Sequence, residues 1–220
     1  MTTSVQDDAV RPLSDFQPLR GVRRKITVEQ FDRMIASGEV AEGEPWELLD
    51  GQIIFKDRSA TGEDPMSVGD AHALITAILI EVAARFQGRG VHVRVQDPVV
   101  LPPYNKPQPD AAIVLGSPRE LFARSGQPRS KDIPCLIEVA DSSLRLDSTV
   151  KLREYADTGV MMYVILSILH RTARVLREPV VGEGRYASDE TLAEGAVLPL
   201  PTADETTVDV RVADLLPPGS

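Results

Sequence analysis

Apolar positions along this chain change their period from segment to segment, and each period implies an element. From Asp70 to Gln87, the positions Leu74, Ile75, Ile78, Leu79, Val82 and Phe86 recur at helical spacing, with Gly88 and Gly90 as the stop. Directly after it, Val91, Val93 and Val95 alternate with His92, Arg94 and Gln96, the period-two pattern of a half-buried strand. Upstream, Thr27 and Gln30 stand at capping-box spacing before Phe31, Met34 and Ile35, which predicts a helix ending near Gly38. Asp50 and Gly51 separate two short apolar runs, so Trp46 to Phe55 predicts a β-hairpin.

The second half reads less regularly. Residues 57–67 are rich in Asp, Ser, Gly and Pro and predict a loop, and the prolines between 102 and 109 predict a rigid, irregular connection. Short apolar runs predict strands over 111–115, 135–139 and 161–169, with 173–176 pairing to the last and weaker strands over 197–200 and 207–210. Between the first two lies a polar loop, 116–132, with one helical turn around Glu120 to Arg124. Asp147 and Ser148 suit the start of a helix that reaches Thr158 and stops at Gly159. Strands and helices in this order imply an α/β or α+β fold, helices packed against a central mixed sheet. Residues 1–25, with Pro12, Pro18 and the basic group Arg20, Arg23, Arg24 and Lys25, read as a flexible arm before a single domain over 26–215.

Composition narrows the function classes. With 220 residues and 42% hydrophobic content the chain can bury one sizeable core, built from aliphatic residues because aromatics make up 5%. A formal charge of -9 argues against a protein that coats nucleic acid non-specifically, although a bound divalent cation would add local positive charge. Cys135 is the only cysteine, which excludes an intramolecular disulfide and a cysteine-rich zinc site and fits a reducing compartment. No run approaches the roughly 18–20 apolar residues of a membrane span, and the N-terminus lacks a signal-peptide layout, so a cytoplasmic protein without a membrane partner is expected.

Two acids break the local pattern. Asp110 follows Pro109 and opens an apolar strand, and Glu138 interrupts the run from Cys135 to Ala140, where a β-strand ordinarily sets another Val or Ile. Taken alone, Asp110 reads as a turn residue after proline and Lys151 as an exposed helix lysine. Glu138 is different, because a buried carboxylate requires a cation, a metal or a strong hydrogen-bond partner. Two carboxylates on neighbouring strands can hold one hard cation such as Mg²⁺ facing a cleft, and a nearby lysine can stabilise developing negative charge. Lys151, on the next helix, is placed to be that lysine.

The order of these residues carries a resemblance. Glu47 to Gly51, His72 on the long helix, Gln96, Gln108 to Asp110, Glu138 to Ser143, Lys151, and Tyr155 to Gly159 together resemble the Uma-two family. That family is a bacterial branch of the PD-(D/E)XK, restriction-endonuclease-like superfamily, and the likeness runs from about Ile26 to about Arg177. The resemblance implies a restriction-endonuclease-like core and a Mg²⁺- or Mn²⁺-dependent endonuclease with DNA as its substrate. By matching position, Asp110 and Glu138 would be metal ligands, Glu47 would complete the metal shell, and Lys151 would be the catalytic lysine. In the plain motif the lysine stands two residues after the glutamate, where this chain has Ala140, so the lysine has migrated to the following helix. His72 and Gln96 are candidate substrate contacts. Family members carry an acidic residue, Tyr and Trp after the helix glycine and an Asp at the strand's end; here stand Met161 to Val164 and Ser167. A homodimer suits a nuclease that meets two strands. The competing readings are a catalytically inactive binding or assembly module and a hydrolase of small phosphoesters.

Overall fold

The computed structural model describes residues 24–41, 43–55, 70–124, 126–140 and 147–218. Residues 1–23 of the expected arm and the expected 57–67 loop lie outside the described residues. Lys25 does not behave as part of a free arm: it pairs with Asp50 and lies 5.2 Å from the Tyr104 ring centre.

Helix α1 (Val28–Ser37) starts as its capping box dictates. The Thr27 hydroxyl accepts from Gln30 N at 3.3 Å, and the Gln30 side chain accepts from Thr27 N at 2.9 Å. Strands β1 (Trp46–Leu49) and β2 (Gln52–Phe55) form the expected hairpin, with positive φ at both Asp50 and Gly51. Helix α2 (Asp70–Ala83) ends in a 3₁₀ turn, Ala84–Phe86, before β3 (Val91–Val95). Then come β4 (Ala111–Leu115), α3 (Pro118–Arg124), β5 (Cys135–Ala140), α4 (Leu152–Asp157) and β6 (Met162–Ser167). The chain closes with β7 (Thr172–Val180), β8 (Arg185–Ala193), β9 (Val197–Pro201) and β10 (Thr207–Arg211).

Strands β3 to β8 form one six-stranded sheet in sequence order, antiparallel throughout except for the parallel pair β5–β6. This is the central mixed sheet flanked by helices that the sequence implies. Alternation along each strand separates two cores. Ile113, Ile137, Val164 and Val175 face α2 residues Ile75 and Leu79 and the β9–β10 pair. Ala112, Leu136 and Tyr163 face the other way, against Tyr155 and Ala156 of α4.

Three features differ from the sequence reading. Strand β8 was not expected, because Tyr186 is its only buried position and its remaining residues carry no apolar alternation. The single turn expected near Glu120 is a full helix, α3, seated by the buried Leu121. The helix expected from Asp147 opens with one π-helical turn, Asp147–Lys151, before α4 begins.

Candidate active site

Strand register sets the two acids together. Ala111 pairs with Ile137 and Ala112 with Leu136, so continuing the ladder by one place puts Asp110 opposite Glu138. Both fall on the face that α4 covers, since Asp110 shares the parity of Ala112 and Glu138 that of Leu136. The Asp110 carboxylate folds back onto the ladder, where its Oδ2 accepts from Val139 N at 2.7 Å. Asp110 and Glu138 lie side by side on two inner strands, Asp110 just before the first residue of β4 and Glu138 within β5.

Lys151 reaches them from the crossover. Its Nζ donates to Glu138 Oε1 at 2.9 Å and lies 3.5 Å from Glu47 Oε1. Glu47 comes from β1, whose neighbour Leu48 exchanges backbone hydrogen bonds with Lys106, and Gln108 N donates to Glu47 Oε1 at 2.8 Å. Three separate segments thus bring Glu47, Glu138 and Lys151 into contact, with Asp110 adjoining. All four are buried, Glu47 fully and Asp110 at 5% exposure. The expectation of an open cleft is not met by the described residues, which close around these side chains. Burying such charges is tolerated only because each has a partner of opposite sign or a hydrogen bond.

Tyr155 belongs to this group as well. Its hydroxyl donates to Glu138 Oε1 at 2.9 Å, and its ring meets Tyr163 edge-on with centres 4.9 Å apart. Burial, and then the Glu138 charge, push the Tyr155 phenol well above its ordinary range, so it remains a donor. Tyr155 is also a fully buried core residue. The extra signal lay in its spacing, four residues after Lys151 and so on the same helix face.

A second polar group holds the elements in place. Asn105 Nδ2 donates to Glu154 Oε2 at 3.0 Å, and Asn105 Oδ1 accepts from Asp50 N at 2.7 Å. Arg153 bridges Glu154 and Asp50 at 2.9 and 3.3 Å. At its far end α4 is pinned by Asp157, whose Oδ1 accepts from Gly182 N and Gly184 N. The hairpin that carries Glu47 and the helix that follows Lys151 are therefore tied to one another. Neither Asn105 nor Glu154 stands out in the sequence, because their partners are distant in the chain.

The remaining candidates sit further off. Gln96 N donates to the Asp110 carbonyl, which extends the row across three strands, but its side chain donates to Thr76 Oγ1 of α2 at 3.3 Å. His72 lies in the first turn of α2, and its side chain is outside the described residues. Ser167, where the family pattern has Asp, bonds His170 Nδ1 at 2.9 Å and braces the turn after β6.

The donor set suits a hard cation. Three carboxylates against one ammonium leave an excess of formal negative charge, and all the candidate donors are oxygen, as Mg²⁺ and Mn²⁺ prefer. Among the described residues, no three His, Cys, Asp or Glu side chains are gathered tightly enough to hold a metal by themselves. A cation there would be held by one or two carboxylates and would keep waters, the habit of Mg²⁺.

A family model described as "Uma2: Putative restriction endonuclease" matches residues 28–211. Among solved structures, the chain resembles a "putative nuclease belonging to DUF820" from Anabaena variabilis ATCC 29413, with a TM-score of 0.56 and 18% identity. The likeness covers 86% of this chain and 97% of that one, and at such identity it concerns the fold. No curated protein matches the chain.

Proposed function

Because this chain belongs to the Uma2 family of restriction-endonuclease-like proteins, we propose that it is a metal-dependent endonuclease that hydrolyses DNA phosphodiester bonds. The observation that carries this reading is the convergence of Glu47, Asp110, Glu138 and Lys151 from four segments onto one face of the sheet. Asp110 and Glu138 would hold Mg²⁺ or Mn²⁺, with Glu47 adding negative charge behind them. Bound there, the ion would polarise the scissile phosphate and lower the pKa of an attacking water. Lys151, migrated from the strand to the crossover, supplies fixed positive charge beside the same carboxylates and would stabilise charge building on the phosphate. Tyr155 and Gln108 are positioning residues, one holding Glu138 and the other Glu47. The protein would act as a homodimer on duplex DNA, in the cytoplasm. No described helix is long and apolar enough to cross a membrane.

One observation favours a second reading, a catalytically inactive member that binds or assembles. The ammonium of Lys151 already bridges Glu47 and Glu138 within a closed interior, so these three form a complete ion group as they stand. Plasmid cleavage by wild type, Asp110→Asn, Glu138→Gln and Lys151→Ala across divalent metals separates the two. The nuclease reading expects cutting by wild type with Mg²⁺ or Mn²⁺ and a loss of at least about 10²-fold in each variant. No cutting by wild type with any metal, or equal cutting by all four, rejects it.

A further inference from the structure

The charge of -9 is unevenly placed along the chain. Residues 178–220 carry nine acids against two arginines, whereas residues 117–131 carry four cations against one acid. In and around β7, β8 and β10 the arginines are neutralised: Arg171, Arg174, Arg177, Arg185 and Arg211 each lie within 3.7 Å of a carboxylate. Over 117–131 most of the cations are not. Arg124 reaches Asp132 at 3.1 Å, but Arg119, Arg129 and Lys131 are exposed and enter no ion pair among the described residues. The one acid, Glu120, turns back to accept from Ser117 N at 2.6 Å, at the start of its own helix.

Phe122 stands among these cations. It is 82% exposed, and no other aromatic side chain among the described residues is exposed. On α3 it lies three places after Arg119, so ring and guanidinium are neighbours on the helix surface, turned away from the buried Leu121. The Arg124–Asp132 pair ties α3 to the 3₁₀ turn Ser130–Asp132, which sets Arg129 and Lys131 beside the helix. This patch belongs to the side of the sheet that carries the acids. Leu121 packs in the same core as Tyr155 and Ala156 of α4, and Val100 N donates to Pro128 O, next to Arg129. Val99 N in turn donates to Pro107 O, beside the Gln108 that holds Glu47.

We propose that α3 and the turn after it are a docking surface for single-stranded DNA, with Arg119, Arg129 and Lys131 on its phosphates and Phe122 stacked on one of its bases. Cations without acidic partners neutralise phosphate whatever the base sequence. Cations alone would draw an acidic protein equally, but a ring beside a guanidinium gives a base two planar surfaces to lie on. A ring stacks only where the face of a base is uncovered. An unpaired stretch offers such faces throughout, and an intact duplex offers them only at its ends. As a statement about substrate the inference rests on the nuclease reading, and it makes that substrate a DNA with an unpaired segment beside the cut. The docking itself would serve a member that does not cut.

The test is fluorescence anisotropy of the full chain in EDTA, which removes divalent metal and so prevents cutting. The probes are a labelled thymidine strand of about 20 nucleotides, long enough for one such site, a duplex of the same length, and poly-glutamate. Wild type should bind the single strand more tightly than the duplex or poly-glutamate. Phe122→Ala should weaken the single strand about 10-fold and leave the duplex unchanged, and Phe122→Trp should keep the affinity. Arg119→Gln and Lys131→Gln should each reduce the slope of log affinity against log salt by about 0.7, one phosphate contact. These side chains are exposed, so every variant should keep the wild-type circular dichroism spectrum. No single-strand binding by wild type, a Phe122→Ala that binds like wild type, or poly-glutamate bound as tightly as the strand would overturn the proposal. Single-strand binding as expected, with no plasmid cutting under any metal, would support this surface and reject only the nuclease reading.

Discussion

Lys151 Nζ and Glu138 Oε1 are 2.9 Å apart, joined across a crossover rather than along a strand. In this fold the lysine side chain is 2% exposed and the glutamate 3%, so neither can exchange its partner for water. Lys151→Ala should therefore leave Glu138 and Glu47 buried without their cation and destabilise the protein by about 3–5 kcal/mol. Urea denaturation followed by circular dichroism measures this. A change under about 1 kcal/mol, the scale of an exposed pair, would mean that the ion pair is solvated.

Tyr155→Phe tests the positioning of Glu138. It removes one hydrogen bond to a buried carboxylate and should cost about 1.5–3 kcal/mol, while leaving the Tyr163 ring contact in place. If the nuclease reading holds, cleavage should fall through the turnover rate rather than through DNA affinity. Unchanged stability and unchanged cleavage together would remove Tyr155 from the site.

Alkaline pH should destabilise the fold. The phenols of Tyr155 and Tyr186 and the thiol of Cys135 are all raised, each chiefly by burial, from ordinary values of 10.0 and 9.0. A raised acid keeps its proton in the folded state while the unfolded chain loses it. Its stabilising effect is complete below the unfolded value and declines as pH climbs above it. Urea midpoints should hold level up to about pH 9 and then fall, more gently in Tyr155→Phe because one contributor is gone. A midpoint that rises with pH in this range would contradict the burial of these groups.

Gly51 fixes the hairpin that carries Glu47. It has φ +71, and a Cβ there would lie 2.4 Å from Lys25 Cβ and 2.8 Å from Lys25 Cα. Gly38 has the similar φ +80 but open space around it. Both alanine variants bear the backbone strain, about 1 kcal/mol, but only Gly51→Ala must also displace its neighbour. Gly51→Ala should be the less stable of the two by thermal denaturation, and the only one to alter a metal-induced rise in melting temperature. Equal stabilities would show that the hairpin and Lys25 move apart freely.

How far the sequence disclosed this site depends on the residue. Glu138 stood out because an acid inside an apolar strand conflicts with its own surroundings, whereas the pairing of Asp110 with it came only from the strand register in the structure. Helix α2 and strand β3 announced themselves through unbroken periodicity. The partnership of Lys151 with Glu47 was not legible from spacing, because β1 joins the site only after docking on the segment around Lys106. Strand β8 escaped because it exposes most of its side chains, and one buried residue, Tyr186, is too few to leave a period-two trace. The enclosed state of the site also gave no sign, since burial is settled by packing between segments far apart in the chain.

The parallel pairing of β5 with β6 has a consequence for insertions and deletions. Two strands that run the same way oblige the chain to return across a face of the sheet, and here it returns over the face that bears Glu138. Loop entropy alone would tolerate added residues there, at about 0.6 kcal/mol for each doubling of length. The helical tether does not. One residue gained or lost beside Lys151 turns it through about 100° around the helix axis, away from Glu138. A length change within the helical turns beside Lys151 would thus remove charge from the site as surely as replacing the lysine, while every strand stayed in register.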